Sequence, residues 1–236
     1  MPSIRNPGRI AGLWYLLLTL LGPVRLIYIP GKLLATDDPR TTVANIAANL
    51  TLFRLGIIAD ILCAVILIML TLAFFRLFQG VDQHLAALVV ILGGIMPATI
   101  YFFNVVNDAG TLAIARGANF LSAFDQPQRD AIAMLLLRLH NDTNTAASML
   151  WGLWLLPLGL LVYRSRFMPR FIGVWLMINC AAYVIVCLVG WLAPQYQGRV
   201  FNIETPATLG EIVMMLWLVI KGAKPPQASA SAQLAT

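Results

Sequence analysis

Five charged side chains interrupt stretches that are otherwise apolar: Arg25, Arg54, Asp60, Asp108 and Glu211. A charge in hydrocarbon is costly, so each needs a partner, water or a cavity. A carboxylate held there can pair with a cation, handle a proton or hold the polar part of a ligand. Helical spacing groups these residues. Asn45, Asn49, Gly56, Asp60 and Cys63 share one side of a continuous helix. Pro97, Tyr101, Asn104, Asp108 and Thr111 share a side of another, and Glu204, Thr208, Glu211 and Met215 of a third. Three polar stripes at similar depth predict one pocket lined by Arg25, Arg54, Asp60, Asn104, Asp108 and Glu211. In it the two arginines neutralise two of the three acids. The same residues would also serve as glue between helices, at about 0.6–2 kcal/mol per hydrogen bond. Residue types and spacing weigh site and glue equally.

Other chemistries find less support. His140, Asp142, Asp108 and Glu211 have metal-ligand character. Yet the chain has only two histidines, no H-x-x-x-H or H-E-x-x-H spacing, and His84 falls toward the opposite membrane face. No metal and no cofactor is expected. Ser148 follows His140 by eight residues, too far for contact along a helix, and no G-x-S-x-G occurs. No catalytic residue is assigned. Asn141-Asp142-Thr143 fits a glycosylation sequon but reads here as a helix cap. Cys63, Cys180 and Cys187 all lie in apolar stretches and read as small core hydrophobes.

The elements that carry these residues follow from composition. The chain has 236 residues, 60% hydrophobic and 11% charged, against about 45–50% and about 25% in soluble domains. Lipid must be its solvent. Apolar runs predict spans near 10–29, 54–78, 85–112, 146–163, 171–192 and 206–220. The fold class is therefore an all-α integral membrane protein, a six-helix transmembrane bundle in one domain over residues 1–222. One or two interfacial amphipathic helices should accompany it. Thr41–Phe53 is one, with nothing in its pattern to stop it running straight into the second span. The apolar run Ala131–His140 is too short to cross roughly 30 Å of hydrocarbon. It reads as interfacial or re-entrant, or as the start of one long protruding helix. Residues 223–236, rich in Ala, Ser and Gln, read as a disordered tail. Arg5 and Arg9 before the first apolar run imitate a signal peptide, but without an A-x-A site an uncleaved first span is expected.

The net charge of +6 forms no basic stripe, so nucleic acid is not an expected partner; membrane lipids are. Arg5, Arg9, Arg76, Arg164, Arg166, Arg170, Lys221 and Lys224 crowd the short connections on one face. This density predicts both termini in the cytoplasm and the polar pocket on the extracytoplasmic side of a bacterial inner membrane.

The stretch Leu150–Ile178, LWGLWLLPLGLLVYRSRFMPRFIGVWLMI, resembles the signature of the bacterial domain-of-unknown-function 4386 family. The blocks Asn45–Asn49 with Leu52–Ile57, and Gly210-Glu211 with Met215–Gly222, fit the same pattern, beginning at Arg9-Ile10-Ala11-Gly12. The resemblance implies a polytopic bacterial membrane protein and no particular activity. Arg54 and Glu211 fall inside the matching blocks.

Three functions stay open on these residues. The first is a non-enzymatic membrane protein whose pocket binds a small amphipathic ligand or lipid headgroup. The second is a small secondary transporter or its subunit, for which six short spans call for a homodimer. The third is an intramembrane lipid-modifying enzyme using Asp108, His140, Asp142 or Glu211.

Overall fold

A computed structural model describes residues 6–224, and all regular structure among them is helical. Arg5 and all but the first two residues of the expected tail lie outside the described residues. The helices are α1 Pro7–Leu33, α2 Pro39–Ala48, α3 Leu50–Phe78, α4 Gln83–Ala115, α5 Gln126–Ser165, α6 Arg170–Leu192 and α7 Gln197–Ile220. Six of them, all but α2, are long and apolar enough to cross a membrane. The chain is an all-α, multi-pass membrane bundle.

The helix starts are written in the connections. Asn6 caps α1, Asp38 caps α2, Asp82 caps α4 and Asp125 caps α5, each accepting from a backbone N–H of the first turn. Asp125 and Gln128 complete a reciprocal capping box. Asn49, at φ −127° and ψ 42°, separates α2 from α3. The amphipathic segment and the second span are therefore two helices, and the stripe from Asn45 to Cys63 is not continuous.

Prolines shape two spans. Pro30 and Pro97 lack an N–H, and their rings crowd the carbonyl four residues back. In each case the turn before is widened. Ile29 N–H donates to Val24 O, and Met96 N–H to Ile91 O, both five residues apart. Each widened turn is a one-residue insertion that rotates the remainder of its helix by about 100°. Gly93 and Gly94, in the second, sit so close to the Trp154 ring and Thr71 that a methyl at either would collide.

The fourth span departs most from expectation. It is 40 residues long, bent at Trp154 ahead of Pro157. At about 1.5 Å per residue it measures about 60 Å, roughly twice the hydrocarbon thickness. Residues 130–145 are thus the start of one long helix. Asn141–Asn144 lie inside it and cap nothing. Its first turns pack with α2, where Val43, Ile114, Leu121 and Ala133 form a small core.

Each span packs on the next in chain order, and α7 closes back on α1. Gly8 and Gly12, a small-x-x-x-small pair, let α1 approach Ala223, Val219 and Leu218. Gly8 N–H donates to Ala223 O at 3.1 Å, and Ala223 N–H to Asn6 Oδ1 at 3.2 Å. Gly159 and Gly173 bring α5 and α6 together as closely. In the half of the ring nearer the chain ends, Tyr15, Phe74 and Trp154 meet pairwise at 6.0–6.3 Å between ring centroids. Leu70, Leu77, Leu158 and Met214 pack round them.

Candidate functional site

The far half of the ring, opposite the chain ends, holds the charges. α1 brings Arg25 in its widened turn, α3 brings Asp60, α4 Asp108 and α5 His140. Arg25 Nε donates to Asp60 Oδ2 at 2.8 Å, and Nη2 donates to Asp108 Oδ2 at 2.6 Å. The same Nη2 lies 3.0 and 3.2 Å from the two ring nitrogens of His140. His140 Nδ1 is 3.0 Å from Asp108 Oδ1. An ionised carboxylate only accepts, so the proton of that bond belongs to Nδ1. All four side chains are buried, Asp60 and Asp108 to 1% and 2% exposure.

Two carboxylates face one guanidinium, leaving one negative charge that an imidazolium or an approaching donor would balance. A buried charge survives only when paired and hydrogen-bonded. Here every charged group has at least one short contact to its opposite.

A cavity of about 100 Å³ opens beside the cluster. Its lining is of two kinds, polar from Arg25, Asp108, His140, Asn141 and Asn144, and apolar from Leu26, Ile29, Pro30, Leu33, Leu34, Phe53 and Leu137. Leu26 and Leu34 are exposed, so the apolar lining continues onto the outer surface. Behind it, Asn104 Nδ2 donates to Asn144 Oδ1 at 2.8 Å, while buried Asn104 Oδ1 has no donor.

Asp60, Asp108 and His140 offer ligand atoms within 4.8 Å of one another, close enough for one metal ion. The Arg25 guanidinium stands among them, Nε on Asp60 and Nη2 on Asp108 and His140, taking the cation's place. Asp108 with His140 also forms a carboxylate-oriented imidazole, the arrangement a general base requires.

Of the six residues expected in one pocket, the structure brings together Arg25, Asp60 and Asp108, with Asn104 one hydrogen bond behind the cavity wall. Arg54 is exposed and forms no ion pair among the described residues. Six residues turn a helix about 600°, which sets Arg54 about 120° away from Asp60 around α3. Glu211 belongs to a second cluster. Its partners are Tyr15, whose hydroxyl donates to Oε2, and Asn179, whose Nδ2 donates to Oε1 at 2.9 Å. Tyr15 precedes Arg25 by ten residues, about 15 Å along α1, and α7 packs on α1 and α6. The three stripes therefore divide between two clusters, and the two-arginine neutralisation gives way to Arg25 alone.

His140 is the functional side chain that residue spacing did not connect to Arg25. The signal was present: no Gly or Pro occurs between Gln128 and Trp151, so nothing interrupts a helix, and Leu137, His140 and Asn144 then share one face. The three cysteines are buried and free, as their surroundings implied.

Residues 10–222 match the family described as Domain of unknown function (DUF4386). The chain belongs to that family. An uncharacterized protein of Archaeoglobus fulgidus is 35% identical over 74 residues, 31% of this chain. The match takes in only 43% of that relative's length. No solved structure matches the chain. The six long apolar helices give a multi-pass membrane protein, and the chemistry must come from the two polar clusters.

Proposed function

We propose that the chain is a bacterial inner-membrane protein, both termini cytoplasmic, whose outward-opening pocket binds the polar head of a small amphipathic molecule or lipid. The observation that carries this reading is the two-sided lining of the far-half cavity. Arg25, Asp108, His140 and Asn144 offer charge and hydrogen bonds, while Leu33 and Leu137 line the cavity and the exposed Leu26 and Leu34 carry its apolar lining onto the outer surface. Size sharpens it. Small-molecule sites run about 300–1,000 Å³, so about 100 Å³ admits a headgroup but not a whole ligand. The tail would lie outside, along α1. The orientation rests on Arg76, Arg164, Arg166, Arg170, Lys221 and Lys224 in the short connections of the terminal face.

Native mass spectrometry of protein extracted from its membrane tests the reading. Arg25→Gln and Asp108→Asn should lower retention of a co-purified amphiphile at least about tenfold, one lost charged hydrogen bond being worth roughly that. Arg54→Gln should leave retention unchanged. Equal retention in all three would sink the proposal.

A second reading, an intramembrane lipid-modifying enzyme, is favoured by the Asp60, Asp108 and His140 ligand geometry. It requires Arg25 to swing aside. Stoichiometric metal together with turnover of native lipid extract would move the assignment there.

A further inference from the structure

The second cluster has a different chemistry from the first. Glu211 lies nine residues before the end of α7 at Ile220, a rise of about 14 Å, close to half of a roughly 30 Å hydrocarbon layer. Its hydrogen-bond donors, Tyr15 from α1 and Asn179 and Tyr183 from α6, are neutral. Glu204 stands two turns away on α7 itself. Tyr101 of α4 lies beyond Tyr183. None of these groups carries positive charge. Among the described residues no arginine, lysine or histidine pairs with either glutamate.

Two buried acceptors are left over. Asn179 is fully buried and holds Glu211 through Nδ2, yet its Oδ1 meets no donor. Glu204 is 7% exposed, and its Oε2 meets none. A bundle that leaves the Asn179 and Glu204 oxygens buried without a donor, beside Glu211 and with no cation paired to either acid among the described residues, is built to receive positive charge from outside the chain. The donor set is oxygen alone, which suits hard cations. Tyr15 and Asn179 each occupy one Glu211 oxygen, so the six to eight oxygens of a calcium shell are not on offer.

We infer that Glu211, with Asn179 and Glu204, binds a small monovalent cation, a proton or a sodium ion, within the membrane. Glu204 is the relay between this site and the far face. The position matches what ion-coupled transporters require, a site at mid-depth where helices meet. The inference does not depend on what occupies the far-half cavity.

Infrared difference spectroscopy of the protein in lipid nanodiscs tests it, with carboxyl bands followed through steps of pH at fixed sodium and of sodium at fixed pH. A glutamate band that responds to pH alone identifies the proton; one that responds to sodium at fixed pH identifies sodium. Glu211→Gln should abolish the response, and Glu204→Gln should slow or displace it. Tyr15→Phe, which keeps the ring and removes one donor, should shift half-saturation roughly tenfold. It serves as the second variant if Glu211→Gln does not fold. No carboxyl response to either ion, or a response that Glu211→Gln or Tyr15→Phe leaves unchanged, overturns the inference.

Discussion

The two halves of the bundle solve the same packing problem in opposite ways. Toward the chain ends, Tyr15, Phe74 and Trp154 plug the ring, and Gly8, Gly12, Gly159 and Gly173 let backbones touch. Toward the far face the apolar core divides into small clusters round Ile46, Cys63 and Val43. Between them sit the Arg25 cluster and cavities lined by Phe53, Val43 and Leu52. The two halves divide the labour. A membrane bundle gains little from apolar burial between helices, because lipid is as apolar as leucine. Close packing must hold one half so that the other can keep charges and space.

Substitutions in each half put this contrast to the test. Phe74→Ala should cost about 3–5 kcal/mol as a large void in a packed plug. Phe53→Ala, beside an existing cavity, should cost less than half of that. Denaturant unfolding in mixed micelles reads both, and equal losses would erase the distinction between halves. Arg25→Gln should cost about 3–5 kcal/mol by leaving Asp60 and Asp108 buried without their cation. The double variant with Asp60→Asn should recover part of the loss, which a purely packing role for Arg25 would not allow. Gly173→Ala should cost about 1–3 kcal/mol by forcing α6 away from the Gly159 carbonyl.

The smallest effect lies outside the membrane. Asp38 accepts from Thr41 N at 2.9 Å and from Thr41 Oγ1 at 2.6 Å, and these bonds hold its carboxyl below the ordinary value. A depressed folded value means the cap's contribution is present above the unfolded value of about 3.9. It is lost as pH falls through the folded one. Hydrogen exchange of the α2 amides should therefore rise as pH is lowered through the acid range, once corrected for intrinsic rates. Asp38→Asn should flatten the response.

Much of the fold was legible because its signals are local. Apolar runs located all six spans, five of them with bounds near those observed, while the fourth helix begins at Gln126, far ahead of its apolar run at 146. Depth counting also placed Arg25, Asp60 and Asp108 near one another, since each lies toward the far end of its span. What depth does not carry is azimuth and neighbourhood. Arg54 and Asp60 share a helix end but not a helix side. Glu211 shares the acids' polarity but belongs to α7, which meets α1 at Tyr15. His140 was hidden by the polarity of Asn141–Asn144, which resembles a break when hydropathy is read without asking what would stop the helix. The cavity is a product of three-dimensional packing and has no counterpart in residue spacing.

The clasp between Asn6 and Ala223 turns a linear order into a cyclic one. With α7 against α1 as each span is against the next, the bundle has no first helix except by the accident of where the chain was opened. Bridging Asn6 to Ala223 and reopening the short turn between Phe78 and Gln83 would preserve every neighbour of every span. The new ends would emerge on the same face as the old, and the wall of the ring would still close.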